Sequence, residues 1–373
     1  MPRDLIVFGE DWGGLPSSTQ HLVSHLAASR KVLWVNSIGL RRPRLGWRDT
    51  RRVWSKITRS TEVKVPSQST ARAPFPVVNP FTLPAPQSTL ERRIAARLLV
   101  SSIQPALVRH GLQNPILWTS LPTAVDVAGR LGDSGLVYYC GDDFGSLAGV
   151  DHATVTQRES ELVQRADLVM TASQTLALKH QGRNTQLLSH GVDTALFSTP
   201  VPRAADLPND GRPIAGFYGS ISEWLDIDLL AQTIARCPDW HFVFIGKAVV
   251  NVDRLRGFGN VHFLGERPHA ALPSYSQHWD ASLLPFANNA QIRACNPLKL
   301  REYLATGRPV VSTDFPALDD YRDVVHCVDS VTRLVTTLRH CGTLARNPSQ
   351  IEAVAGYDWS VQADKVAMWL DRL

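Results

Sequence analysis

The residue run with the most chemical content is Asn296-Pro297-Leu298-Lys299-Leu300-Arg301-Glu302-Tyr303-Leu304-Ala305-Thr306-Gly307. Pro297 suits the first turn of a helix and Gly307 its C-terminal cap. Lys299 and Glu302 lie three apart and so share a face. Free backbone N–H groups and the positive dipole end at the start of such a helix favour a phosphate. Lys299 adds a point charge there, and Glu302, one turn deeper, could accept both hydroxyls of a ribose. The plainer reading of the pair is an i,i+3 ion pair on an ordinary exposed helix.

Three further groups of residues could do chemistry. Asp142 and Asp143 follow an apolar run and precede Phe144-Gly145, so both carboxylates should lie at the rim of a sheet. The plain alternative is one Asp capping the next turn and the other solvated. Trp12, Gly13 and Gly14 form a loop before Ser17-Ser18, where the glycines allow close backbone approach to a phosphate or a second substrate. That spacing is not G-x-G-x-x-G, which argues against a dinucleotide oxidoreductase. Trp12 could be a binding platform or a packed aromatic. Between 41 and 60 stand eight basic residues, among them Arg41, Arg42, Arg44, Arg48, Arg51 and Arg52, with Trp47 and Trp54 and one acid, Asp49. Eight against one gives +7, so the rest of a chain of net charge +5 sums to −2. Basic residues with indoles suit an anionic bilayer surface. A solvated charged helix is the plain reading, and no recognition motif accompanies a nucleic-acid reading. Asp226-Ile227-Asp228 spells D-x-D, but residues two apart on a helix point in nearly opposite directions and cannot chelate one ion. No metal is expected.

These groups need a frame to hold them. At 373 residues the chain is long enough for two domains. Hydrophobic residues at 44% and charged residues at 20% are ordinary globular values. No apolar run approaches the ~18 residues of a spanning helix, and the start lacks the long apolar region of a secretion signal. Five scattered cysteines without C-x-x-C argue against a disulfide framework or zinc knuckle, and fit a reducing cytoplasm. Short β-branched runs at 5–9, 31–36, 115–119, 135–140, 167–171 and 186–189 alternate with helical stretches at 18–29, 89–102, 121–130, 153–165 and 174–180. That rhythm predicts βαβ units in a parallel sheet. It breaks at the proline-rich 199–213 and restarts with strands at 214–218, 241–245, 261–264, 281–284, 309–312 and 324–328. The prediction is α/β: two doubly wound, Rossmann-like domains facing across a cleft, 1–198 and 214–356, joined by a linker at 199–213. The stretch 66–86 reads as a long irregular connection, and 357–373 as an amphipathic terminal helix.

The run N-P-L-K-x-x-E-Y-L-A-x-G-x-P-V-V resembles the donor-binding helix of GT-B glycosyltransferases of the family 4 type. Gly191-Val192-Asp193-Thr194-Ala195-Leu196-Phe197 resembles the G-V-D-x-x-x-F run closing their first domain. Asp167-Leu168-Val169-Met170-Thr171-Ala172-Ser173 and Tyr357-Asp358-Trp359 resemble two further signatures, the latter starting a helix that crosses back to the first domain. The resemblance implies a metal-independent, hexosyltransferase-type enzyme with no cofactor, moving a sugar from a nucleotide-sugar, UDP-linked by preference. Lys299 would hold the diphosphate and Glu302 the ribose. Gly219 and Ser220 would offer backbone N–H groups, backbone near Gly265 would read the base, and Pro297 and Leu298 would open the helix. Asp143, or else Asp142, would be the general base toward the acceptor hydroxyl, as an aspartate is in the similar xanthan-type glucuronosyltransferases.

Two departures stand out. The usual Glu-x7-Glu pair has Ala294 in its first place, with Arg293 beside it, which could contact a donor phosphate or an acidic sugar, and the cations common after the second domain's first strand are missing. The implied partners are a nucleotide-sugar, a lipid-linked or glycan acceptor for a surface polysaccharide, and an anionic membrane surface on the cytoplasmic side, with no nucleic acid. Alternatives are a nucleotide-sugar 2-epimerase of the same fold and a catalytically silent sugar- or lipid-binding module.

Overall fold

The computed structural model describes residues 2–13, 16–37, 73–84, 86–146, 152–181 and 184–373. The basic segment with Arg41, Arg42, Arg44, Trp47, Arg48, Arg51, Arg52 and Trp54 lies outside these residues, as does Gly14. Contacts divide the chain into two units, one of Met1–Ala172, Leu176–Leu187 and Ala363–Leu373, the other of Ser173–Thr175 and Leu188–Gln362.

The first unit is built on a sheet of seven strands in the order β3-β2-β1-β4-β5-β6-β7. They are β1 (Leu5–Phe8), β2 (Val32–Val35), β3 (Val77–Val78), β4 (Ile116–Thr119), β5 (Gly135–Cys140), β6 (Leu168–Thr171) and β7 (Thr185–Leu187). Every pairing is parallel. Residues Leu5–Phe8 and Val32–Val35 are buried throughout, as strands covered on both faces must be. Strand β3 falls inside the expected irregular connection, where Val77 and Val78 continue the sheet beyond β2. Two residues are too short to leave a periodic signal. The helix expected at 89–102 runs through Pro105 to His110, starting in a Ser88/Glu91 capping box and ending at Gly111 with φ +60°. The stretch expected as a helix at 121–130 is a 3-10 turn, Pro122–Asp126.

The second unit holds a six-stranded sheet in the order β10-β9-β8-β11-β12-β13. Its strands are β8 (Ile214–Tyr218), β9 (His241–Ile245), β10 (Val261–Gly265), β11 (Ala281–Leu284), β12 (Val310–Thr313) and β13 (His326–Val328). All are parallel, and the order reverses between β8 and β11, where α/β sheets of this kind bind ligands beyond their carboxyl ends. The stretch expected as a linker, 199–213, is held on this unit. Val201 N donates to Gln277 Oε1 (3.1 Å) and Ala204 N to Ser274 O (3.0 Å). Its prolines shape an edge that the rest of the unit pins down. The last helix is Trp359–Leu370. Its second half belongs to the first unit, where Arg3 Nη2 donates to Leu370 O (3.2 Å) and Arg30 pairs with Asp371 (3.1 Å).

Candidate donor site and rim carboxylates

The helix Leu298–Ala305 is fixed to β8 by aromatic and hydrogen-bonded contacts. Tyr303 OH accepts from Tyr218 N (2.9 Å), the two rings meet edge-on at 4.8 Å, and Trp279 packs 6.0 Å from each. A side chain at Gly216 would strike Trp279, its Cβ standing 2.1 Å from the indole, so glycine there lets the indole lie on the strand. Behind the helix start, buried Arg301 donates to Asn296 Oδ1 (2.7 Å) and lies 4.6 Å from the Tyr357 ring. Pro297 is the N-cap residue and supplies no side-chain cap, leaving the first N–H groups of the helix without that partner.

The docked helix sets the two site residues. Lys299 reaches across the end of β8: a Cβ on Gly219 would stand 2.8 Å from Lys299 Cε and 2.9 Å from its Nζ. The ammonium also lies 5.5 Å from the Phe217 ring centroid. Glu302 is buried, with Oε2 accepting from Tyr218 OH (2.6 Å) and Oε1 facing His269 Nε2 (2.7 Å). A carboxylate has about four lone-pair sites, so each oxygen can take one more donor. Burial alone would raise the Glu302 carboxyl, but His269, Tyr218 and Lys299 outweigh it and hold the pKa below the usual range. Burial pulls the His269 imidazole down, and the Glu302 bond overcomes it, so its pKa is raised. Burial lowers Lys299, against the pull of Cys295 and Glu302.

The strand ends beside Lys299 are bare backbone. Gly219 (φ +127°) donates to Ile245 O (2.8 Å), and Gly246 (φ +134°) donates to Gly265 O (2.8 Å). A Cβ on Gly246 would sit 2.1 Å from Gly219 O, so these two chains touch shoulder to shoulder. Ser220 is half-buried at the same edge, and Gly265 closes β10 with open space around it. Arg293 is exposed on the short helix Ala290–Ala294, where its Nη1 donates to Asn288 Oδ1 (2.8 Å), while Ala294 is buried. Sequence reasoning missed Tyr218, His269 and Tyr303. A tyrosine ending an apolar strand is the one signal that could have pointed to Tyr218.

In the first unit the two rim aspartates differ sharply. Asp143 Oδ1 accepts from Lys179 Nζ (2.6 Å) and Gly145 N (3.1 Å), and Oδ2 from Ser146 Oγ (2.8 Å). Desolvation opposes these contacts but loses to them, so the carboxyl is held below its usual range. Asp142 is exposed, and among the described residues no donor reaches its carboxylate. Beneath the pair, buried Glu159 accepts from Tyr138 OH (2.7 Å) and Lys179 Nζ (3.0 Å), with Cys140 Sγ 3.6 Å from His180 Nε2. Cys140, Glu159 and His180 bring three metal-ligand types within 4.8 Å. Lys179 already provides Glu159 with a cation, and burial pushes the Cys140 thiol well up. The cluster supports the rim from below.

The first loop packs inward at its aromatic. Trp12 meets Trp34 and Phe75 edge-on at 5.0 and 4.7 Å, and Trp12 N donates to Asn36 Oδ1 (2.9 Å). Gly13 is exposed with φ +86°. Asp226 caps the helix Ile227–Arg236 through Leu229 N (2.8 Å), while Asp228 pairs with Arg254, so the D-x-D carboxylates point to different partners.

Two parallel doubly wound sheets, with this strand-end site on the second, define the GT-B fold. Residues 212–341 match the family described as "Glycosyl transferases group 1", and the fold of the chain is GT-B. The sucrose-phosphate synthase structure from Thermosynechococcus elongatus superposes with TM-score 0.70 at 15% identity, covering 99% of this chain and 98% of that one. Anabaena Alr3699/HepE in complex with UDP and glucose superposes with TM-score 0.68 at 16% identity over 100% of both chains. In sequence, the chain is 26% identical over 221 residues to a Bacillus subtilis (strain 168) protein named "Putative teichuronic acid biosynthesis glycosyltransferase TuaH". That match takes in 54% of this chain and 56% of the relative, so the chain spans little more than half the length of the relative it matches. Among the described residues no helix is long and apolar enough to cross a membrane.

Proposed function

We propose that the chain is a glycosyltransferase that moves a hexose from a nucleotide-sugar, UDP-linked by preference, to a lipid-linked or glycan acceptor in the building of a surface polysaccharide. The observation that carries this reading is Lys299 lying across Gly219 one turn from the Glu302–His269 pair. Lys299 and a protonated His269 give two positive charges against one negative, a surplus suited to a diphosphate. The Gly219 N–H, expected to face the phosphates, is taken by Ile245 O, and the glycine instead leaves the space that Lys299 fills, so the phosphates are met by the lysine and by the half-buried Ser220 beside it. The free lone pairs of Glu302 can take the ribose hydroxyls, and the backbone near Gly265 faces the base. The UDP complex of HepE and the name of the TuaH relative support the donor and the pathway class.

In the first unit the general base is Asp142, because Lys179, Ser146 and Gly145 already take three of the roughly four lone-pair sites of Asp143, while among the described residues no donor reaches Asp142. The acceptor hydroxyl forms the new bond to the anomeric carbon and passes its proton to Asp142. The bond from that carbon to the diphosphate breaks, and the nucleotide leaves with the electron pair. Charge neutralisation by Lys299 and His269 makes transfer independent of divalent metal, so EDTA should leave the rate unchanged.

The test is thermal stabilisation by UDP, GDP and dTDP, with Lys299→Ala and Glu302→Ala alongside. A native-state ligand stabilises by RT ln(1 + [L]/Kd), about 2.7 kcal/mol at a hundredfold excess over Kd. A shift with one nucleotide that both variants lose supports the reading, and no shift with any nucleotide sinks it. Nucleotide release that requires an added acceptor then separates transfer from 2-epimerisation or silent binding.

A further inference from the structure

The long helix Thr89–His110 of the first unit has an outer face that its surroundings do not explain. Its inner face buries Ala95, Ala96, Leu99, Ile103 and Leu107. On the opposite side, Leu90, Ile94, Arg97, Ser101 and Val108 form one ridge at helical spacing. A surface helix normally carries polar groups there. Here Leu90 is 67% exposed and Val108 73%. Phe81, also exposed, is tied to the flank of the helix because its N–H donates to Ser102 Oγ (3.2 Å).

The charges on this side are all of one sign. Arg93, Arg97 and Arg109 are exposed, and none pairs with a carboxylate among the described residues. Arg130 joins Arg97 and Val108 around a shallow hollow. The acids of the neighbourhood are engaged elsewhere. Glu91 is turned back to the Ser88 N–H in the capping box (3.0 Å), and Asp126 and Glu161 hold the inward Arg92.

We propose that this ridge is a membrane-docking face, lying flat on an anionic bilayer with Leu90, Ile94 and Val108 entering the acyl boundary and the arginines at the phosphates. From Leu90 to Val108 the ridge is about 27 Å long at 1.5 Å per residue. Apolar side chains flanked by unpaired arginines are the composition of helices that lie in the interface plane. A protein partner would have to be acidic and apolar at once, and a second copy would bring these same arginines together. The face is separate in sequence from the basic segment 41–59, and the proposal rests on the lipid-linked acceptor of the proposed function but not on the donor chemistry.

The experiment is co-sedimentation of the full chain, at physiological salt, with phosphatidylcholine vesicles that either contain or lack phosphatidylglycerol. Wild type should pellet with the anionic vesicles. Leu90→Ser/Ile94→Ser/Val108→Ser and, separately, Arg93→Glu/Arg97→Glu should each weaken partitioning roughly tenfold or more, with the segment 41–59 intact. All these side chains are exposed, so unchanged melting temperature and UDP-induced shift show that fold and donor site survive. Binding that persists in both variants, or wild type that stays in the supernatant, overturns the proposal. So does a wild-type dimer, seen without vesicles by analytical ultracentrifugation, that the serine variant breaks. Because the UDP shift is read on the same samples, failure of docking is separable from failure of the donor reading.

Discussion

Lys299 lies over Gly219 so closely that a methyl group on that glycine would stand 2.8 Å from Lys299 Cε. The two residues are 80 positions apart, and the contact exists because the helix Leu298–Ala305 is clamped to β8 by Tyr303. Gly219 is therefore needed twice, for a backbone at φ +127° and for the space the lysine occupies. Gly219→Ala should destabilise the fold by about 1–3 kcal/mol, the scale of a strained backbone position. It should also abolish the UDP-induced thermal shift. A variant that melts normally and still responds to UDP would break the link between this contact and the site.

Glu302 should matter to stability as well as to binding. Glu302→Ala leaves the buried Tyr218 hydroxyl and His269 without their acceptor, which costs about 2–3 kcal/mol. Glu302→Gln keeps an acceptor and should recover part of that loss while still weakening UDP. Urea denaturation of the two variants, beside the UDP shift, distinguishes a scaffold role alone from one that includes the ribose.

The same pair gives a pH signature. The folded-state pKa of His269 is raised, so its contribution is complete below the free imidazole value of about 6.5 and is lost as pH rises through the higher folded value. Glu302 is depressed, so its contribution is present above the ordinary glutamate range and is lost only as pH falls through the lower folded value. The stability of wild type over His269→Gln should therefore shrink as pH is raised from about 6.5 into mildly alkaline buffer. A difference that stays flat across that window would mean His269 is not carrying the charge.

Much of this frame was legible beforehand, and the losses have physical causes. The alternation of apolar runs and amphipathic stretches located nearly all the strands, because parallel strands are buried on both faces and read as continuous apolar segments. The helix expected to end at 102 continues through Pro105, where packing of Ile103 and Leu107 carries it five residues past the proline. Lys299 and Glu302 were readable because both stand on one helix at fixed spacing. His269 was not, since it reaches Glu302 from 33 residues away through a fold the local sequence does not encode. The preference for Asp143 over Asp142 rested on position alone. Lys179, which engages Asp143, belongs to a different helix, Gln174–Lys179.

That engagement makes the aspartates separable by experiment. Asp143→Asn removes the charge that Lys179 pairs with at 2.6 Å, and leaves Lys179 to Glu159 alone. The bridge is partly exposed, so the expected cost is modest, about 0.5–1 kcal/mol, with a matching fall in melting temperature. Asp142→Asn has no internal contact to lose among the described residues, and its melting temperature should not move. If Asp142 is the base, that same substitution should lower acceptor-dependent nucleotide release by about 10²–10⁴-fold, the usual contribution of a positioned proton acceptor. UDP binding in the second unit should be untouched by either change. Full turnover in Asp142→Asn, with loss in Asp143→Asn rescued by Asp143→Glu, would move the proton to the paired carboxylate. The Lys179 contact would then be a means of tuning the base and not a support beneath it.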